Sequence, residues 1–208
     1  MTKIKICGLK RPEDITYVNK FLPEFAGFVF AESRRQINAE QARRLKNLLS
    51  PDILAVGVFV NSSIKDIAYL YQEHIIDLAQ LHGDETEAYM DQLKMLCPRL
   101  PLIKAVRVRN TPQILKAEKL PCDYLLLDTW QKDTYGGSGK SFDKSLIPAL
   151  KKPYFLAGGL NADNVLQNIS LCNPYAVDVS SAVESEGCKD EQKIEKFIAN
   201  VRLDSNLP

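Results

Sequence analysis

Short apolar runs rich in β-branched residues alternate with longer segments whose apolar positions recur at helical spacing, and the alternation continues along the chain. This pattern predicts a parallel α/β fold, because doubly covered strands read as near-continuous apolar runs and each crossover is a helix. The predicted strands are Lys3–Cys7, Phe25–Phe30, Ile53–Val60, Ile76–Gln80, Leu102–Val108, Tyr124–Leu127, Tyr154–Leu156 and Tyr175–Val179. Helices are predicted over Asn38–Leu49, where Ala39, Ala42 and Leu45 mark one face behind an asparagine cap, and over Ser62–Gln72 behind a serine cap. Two more are predicted, one over Asp84–Cys97 with an acidic start and one within Asn110–Lys119, where Pro112 permits a helix start. Eight strand–helix units suit a closed (β/α)8 TIM barrel better than an open doubly wound sheet, and no G-x-G-x-x-G follows the first strand. The expectation is one α/β domain over residues 1–208, with lean loops and a frayed tail from Leu203 to Pro208.

Composition narrows the partners. The 208 residues carry 27 basic and 26 acidic side chains, a net charge of +1, which argues against a broad grip on nucleic acid or an anionic membrane. Small-molecule ligands are expected instead. No apolar run long enough to span a bilayer and no secretory-signal pattern is found, so no membrane association and a cytoplasmic setting are expected. The five cysteines are odd in number, widely spaced and without a C-x-x-C pair, which points to reduced thiols with no disulfide framework and no metal site. Oligomeric state stays open between monomer and homodimer.

On a barrel of this kind, chemistry sits just past the carboxyl ends of the strands. The first strand delivers Cys7 and Gly8 there: a thiol beside a residue that leaves the backbone open to substrate, or simply a small buried side chain. Gly158-Gly159 after the seventh strand and Ser180-Ser181 after the eighth read as a phosphate site of backbone N–H groups and hydroxyls, with a tight turn and a helix cap as the plain alternative. Arg34 and Arg35 follow the second strand, where a guanidinium could grip a carboxylate or lie solvated. Asp128 closes the apolar run Leu125-Leu126-Leu127, where partial desolvation favours the neutral acid and suits general acid catalysis, with a helix-capping or loop aspartate as an equal alternative. His82 stands alone and is no metal site. The Gly136-Gly137-Ser138-Gly139-Lys140 segment misses the Walker pattern, since Thr134 stands where a glycine is required, and reads better as a lid.

In order along the chain, these residues fall within Lys5-Ile6-Cys7-Gly8-Leu9, Gly27-Phe28-Val29-Phe30 with Ser33-Arg34-Arg35, Gln80-Leu81-His82-Gly83, Leu126-Leu127-Asp128-Thr129, Leu156-Ala157-Gly158-Gly159-Leu160-Asn161 and Val177-Asp178-Val179-Ser180-Ser181. Over nearly its whole length the sequence resembles the phosphoribosylanthranilate isomerase family of tryptophan biosynthesis. The resemblance implies an Amadori rearrangement of an anionic sugar phosphate carrying anthranilate, without cofactor or metal. It implies Asp128 as general acid, Cys7 as general base, Arg35 as the carboxylate-binding arginine and Gly158, Gly159, Ser180 and Ser181 as the phosphate site, with His82 and Asp178 as supporting substrate-binding residues. Strand alternation places Lys5 on the same face as Cys7, where its charge could depress the thiol pKa. Ala182, Glu32 and Gln36 depart from the family's usual residues, and Ala182 bears on how closely the backbone approaches phosphate.

Two competing readings frame the tests. An indoleglycerol-phosphate synthase on the same scaffold would be expected to use a lysine acid at a strand end and a longer N-terminal extension. A non-catalytic phosphometabolite-binding barrel would be expected to hold Cys7 and Asp128 far apart or on opposite rims.

Overall fold

The computed structural model describes residues 1–129 and 142–203. The lid expected over residues 135–140 and the tail from residue 204 onward lie outside the described residues. Eight parallel strands close into a barrel in chain order: β1 Lys3–Cys7, β2 Phe25–Val29, β3 Leu54–Phe59, β4 Leu78–Leu81, β5 Leu102–Val108, β6 Tyr124–Thr129, β7 Tyr154–Leu156 and β8 Ala176–Val179. Outside them lie α1 Pro12–Phe21, α2 Ala39–Leu48, α3 Ile64–Gln72, α4 Glu87–Leu96, α5 Thr111–Glu118, α6 Val165–Cys172 and α7 Glu191–Leu203. The expected barrel is the observed one.

Local chemistry explains the boundaries. Asn38 and Gln41 form a reciprocal capping box at the start of α2, while Ser63 and Asn110 cap α3 and α5 through their side chains. The α4 helix starts later than its acidic residues predict. Glu85 turns inward to the buried Lys104 ammonium (2.8 Å), and Thr86 takes the cap by accepting the Tyr89 N–H. Likewise β4 begins at Leu78 rather than Ile76, because the Ile75 and Ile76 N–H groups donate to the Leu70 carbonyl and close α3. Both isoleucines are buried, which is why the segment reads as strand. The α1 helix has a less apolar pattern; Pro12 opens it, and the Asp14 carboxylate accepts the N–H groups of Lys10 and Arg11.

Period-2 alternation divides the core in two. Outward residues such as Ile4, Ile6, Phe28, Leu125 and Val177 pack beneath the helices, while Phe25, Val56, Leu78, Leu126 and Phe155 fill the barrel. The amino-terminal end of the barrel is closed by aromatic rings: Phe25 and Tyr124 lie 5.2 and 5.7 Å from Phe155, and Tyr124 lies 5.2 Å from Tyr175. At the opposite end the inward positions turn polar, with Cys7, Gln80, Asp128 and Asp178. The sheet thus has a dry, plugged base and a chemically equipped mouth.

Candidate active site

Two adjoining cavities occupy the mouth. The larger, about 640 Å³, is lined by Cys7, Arg35, Gln80 and His82 among others, and the smaller, about 190 Å³, by Gly158, Gly159, Ser181 and Ala182 among others. Asp128, Asp178 and Ser180 line both. The nine site residues that the resemblance implies therefore all line these two adjoining cavities, and Cys7 and Asp128 both line the larger one.

The Cys7 thiol is buried beside Lys5, whose Nζ lies 2.9 Å from Asp178 Oδ1. Burial opposes the Lys5 charge, but Asp178 and Cys7 more than restore it and raise its pKa above the usual lysine value. For Cys7, burial pushes the thiol up, Lys5 and Lys189 pull it down, and burial wins. The expectation of a depressed thiol is thus half right: Lys5 acts in the predicted direction and is outweighed. Gly27 on β2 makes room for the thiol, since a side chain there would place its Cβ 2.8 Å from Cys7 Sγ.

Gly8 has a different use from the one expected. Its φ of +86° suits glycine, and a Cβ at this position would lie 2.4 Å from Arg35 Cδ, so the open space is filled by the arginine stem and not left for substrate. Arg35 reaches over the end of β1 to Glu184, donating from Nε at 2.7 Å and from Nη2 at 3.0 Å. Glu184 was not legible as a site residue. Nothing in the sequence pattern separates it from Glu186 two positions on.

Asp128 accepts the Thr129 N–H on Oδ1 at 2.7 Å and turns Oδ2 toward His82 Nε2 at 3.5 Å. Gln80 Nε2 lies 2.8 Å from His82 Nδ1. With the amide nitrogen donating, Nδ1 accepts and the imidazole presents an N–H side to Asp128. The loop carrying His82 rests on a buried clamp: Lys104 Nζ donates to the carbonyls of Leu81 and Gly83, and Glu85 accepts the Asn61 N–H. Lys104 and Glu85 were missed, because a single buried polar residue within a strand or loop carries no periodic signal.

At the smaller cavity, Gly158 and Gly159 both take positive φ and face Ser180, Ser181 and Ala182. The Ser180 hydroxyl donates to the Cys7 carbonyl at 2.9 Å, so it ties β8 to β1 and does not serve as the free donor expected of it. A Cβ on Gly158 would lie 2.3 Å from Thr129 Oγ1 and 2.8 Å from Thr129 N. Gly158→Ala is therefore expected to push the loop away from Thr129 and distort it. The Michaelis constant for a phosphate-bearing substrate should rise at least ~10-fold, the worth of about one charge-assisted hydrogen bond. Competitive inhibition by inorganic phosphate should weaken in parallel, and an unchanged phosphate inhibition constant would remove the site from this loop.

The chain is similar to known proteins in sequence and in fold. The sequence model of the N-(5'-phosphoribosyl)anthranilate (PRA) isomerase family matches residues 4–200. The chain belongs to the phosphoribosylanthranilate isomerase family. An N-(5'-phosphoribosyl)anthranilate isomerase of Lachnoclostridium phytofermentans is 48% identical, covering 94% of this chain and 95% of that one. Among solved structures, the phosphoribosyl anthranilate isomerase of Thermus thermophilus superposes with a TM-score of 0.85 at 30% identity, covering 97% of this chain and 99% of the other. Another family member, solved in complex with reduced 1-(o-carboxyphenylamino)-1-deoxyribulose 5-phosphate, superposes at 0.80 with 33% identity over 100% of both chains. Phosphoribosylanthranilate isomerase relatives thus match this chain from its first strand to its last helix.

Proposed function

We propose that this chain catalyses the Amadori rearrangement of N-(5-phosphoribosyl)anthranilate to 1-(2-carboxyphenylamino)-1-deoxyribulose 5-phosphate in tryptophan biosynthesis. The observation that carries the reading is the joining of two cavities at Asp128, Asp178 and Ser180, one bearing glycine and serine loops and the other Cys7 and Arg35. Such a depression suits a substrate that is anionic at both ends.

In this reading the phosphate lies between Gly158-Gly159 and Ser180-Ser181, and the anthranilate carboxylate meets Arg35. Asp128 protonates the furanose ring oxygen as the C1–O bond breaks, and the anthranilate nitrogen lone pair forms the iminium. The iminium acidifies the C2 hydrogen, and Cys7 removes it to give an enolamine that tautomerises to the aminoketose. His82 keeps Asp128 oriented, and Asp178 keeps the Lys5 ammonium beside Cys7. Acid and base are both side chains, so the route calls on no cofactor or metal. The five unpaired cysteines support a reducing, cytoplasmic setting.

The test is the loss of anthranilate-adduct fluorescence with freshly generated phosphoribosylanthranilate. Turnover in the range of about 1–10³ s⁻¹ common to enzymes is expected. Saturable binding without turnover would instead favour a non-catalytic phosphometabolite-binding barrel.

A further inference from the structure

We infer that Glu184 is a positioning residue that holds one edge of the Arg35 guanidinium so that the other edge is presented to the substrate carboxylate. The inference rests on the reading of Arg35 as the carboxylate grip and adds a residue that this reading does not contain.

The argument begins with the donors of the guanidinium. Arginine offers five N–H groups in a rigid planar fork. Glu184 takes Nε–H on Oε1 and one Nη2–H on Oε2, which leaves the Nη1 pair and the second Nη2–H as a further parallel fork. Arg35 lines the 640 Å³ cavity and Glu184 does not, so the carboxylate braces the arginine without occupying its binding face. The Arg35 stem is fixed as well, packed over Gly8. A side chain so ordered before binding loses little further rotamer freedom when substrate arrives.

Glu184 is itself immobilised. Its side chain is 5% exposed; Lys189 Nζ donates to Oε1 at 2.8 Å, Arg34 Nη2 donates to Oε2 at 2.9 Å, and Lys193 Nζ donates to its main-chain carbonyl at 2.7 Å. Burial alone would raise its pKa, but the contacts with Arg35 and Lys189 bring it down to about 2, so the carboxylate is ionised at any working pH. Three cations gather on one anion. The cluster keeps an excess of positive charge for an incoming carboxylate, which a one-to-one pair would cancel. Lys189 extends the brace: its Nζ also donates to the Ser180 carbonyl at 2.9 Å, and Arg11 Nη2 donates to the Lys189 carbonyl at 3.1 Å. The loops after β2 and β8 and the start of α1 thereby share one ionic framework.

The experiment is a double-mutant cycle on the Michaelis constant, with folding followed by circular dichroism and Glu184→Asp included as a shorter, still anionic variant. Glu184→Gln is expected to raise the Michaelis constant about 10–100-fold, the range for supporting residues behind a ligand-binding group, with turnover changed less than ~3-fold. In an Arg35→Ala background the same substitution should cost less than ~3-fold, because a residue that acts through Arg35 has nothing left to position. Glu184→Asp should recover part of the loss. Equal losses in both backgrounds, or no loss at all in Glu184→Gln beside a large one in Arg35→Ala, would overturn the role of Glu184 and leave the Arg35 reading standing. An unchanged Michaelis constant in Arg35→Ala would overturn both.

Discussion

Asp128→Asn is expected to lower turnover at least ~10²-fold, the lower end of what a positioned proton donor contributes, with the barrel folded and the substrate still bound. The amide is nearly isosteric and keeps the oxygen that accepts the Thr129 N–H at 2.7 Å. What it loses is the ability to hand a proton to the ring oxygen, so on the proposed route ring opening would have to draw its proton from water. Holding the amide oxygen on Thr129 also turns the NH₂ group toward His82 Nε2, 3.5 Å away in the parent, where two donors then face each other. The defect should therefore appear in turnover, with the Michaelis constant nearly unchanged and circular dichroism like that of the parent. Near-normal turnover would remove Asp128 as the acid. A raised Michaelis constant with normal turnover would recast it as a binding residue.

The strands were legible because a parallel barrel buries both faces of its sheet and leaves a strong apolar signature, and β1, β5 and β7 have the predicted limits. Legibility faded where an apolar residue serves a turn, as at Ile75 and Ile76, or where an acidic residue leaves the helix start to pair inside, as Glu85 does with Lys104. The candidate site was legible where its residues coincide with a strand end. Cys7, Asp128, Gly158-Gly159 and Ser180-Ser181 all satisfy that rule, and alternation placed Lys5 beside Cys7. The supporting framework was not legible, because Glu184, Lys189 and Glu85 are charged loop or short-strand residues whose one-dimensional surroundings match those of solvated surface. Only the folded chain shows that each is buried against opposite charge.

Cys7→Ala is expected to cost at least ~10²-fold in turnover, and the pH profile decides why. A thiol removes the C2 proton only as thiolate, and burial pushes the Cys7 thiol above its usual value despite Lys5 and Lys189. In the free enzyme the thiol form therefore dominates at neutral pH, and kcat/KM should climb with pH through the thiol titration, levelling only above the ordinary thiol range of about 8.5. On the proposed route a low thiolate fraction suffices, because the iminium acidifies the C2 hydrogen before Cys7 acts. Lys5→Met removes one of the two cations that hold the thiol down and leaves Asp178, which pushes it up, so the rising limb should move to still higher pH. Alkylation of Cys7 by iodoacetamide, followed on its own peptide to exclude the other four cysteines, should slow at neutral pH and shift in the same direction. A profile unmoved by Lys5→Met would break the link between Lys5 and the thiol. Normal turnover in Cys7→Ala would move the base elsewhere, whatever the charge around it.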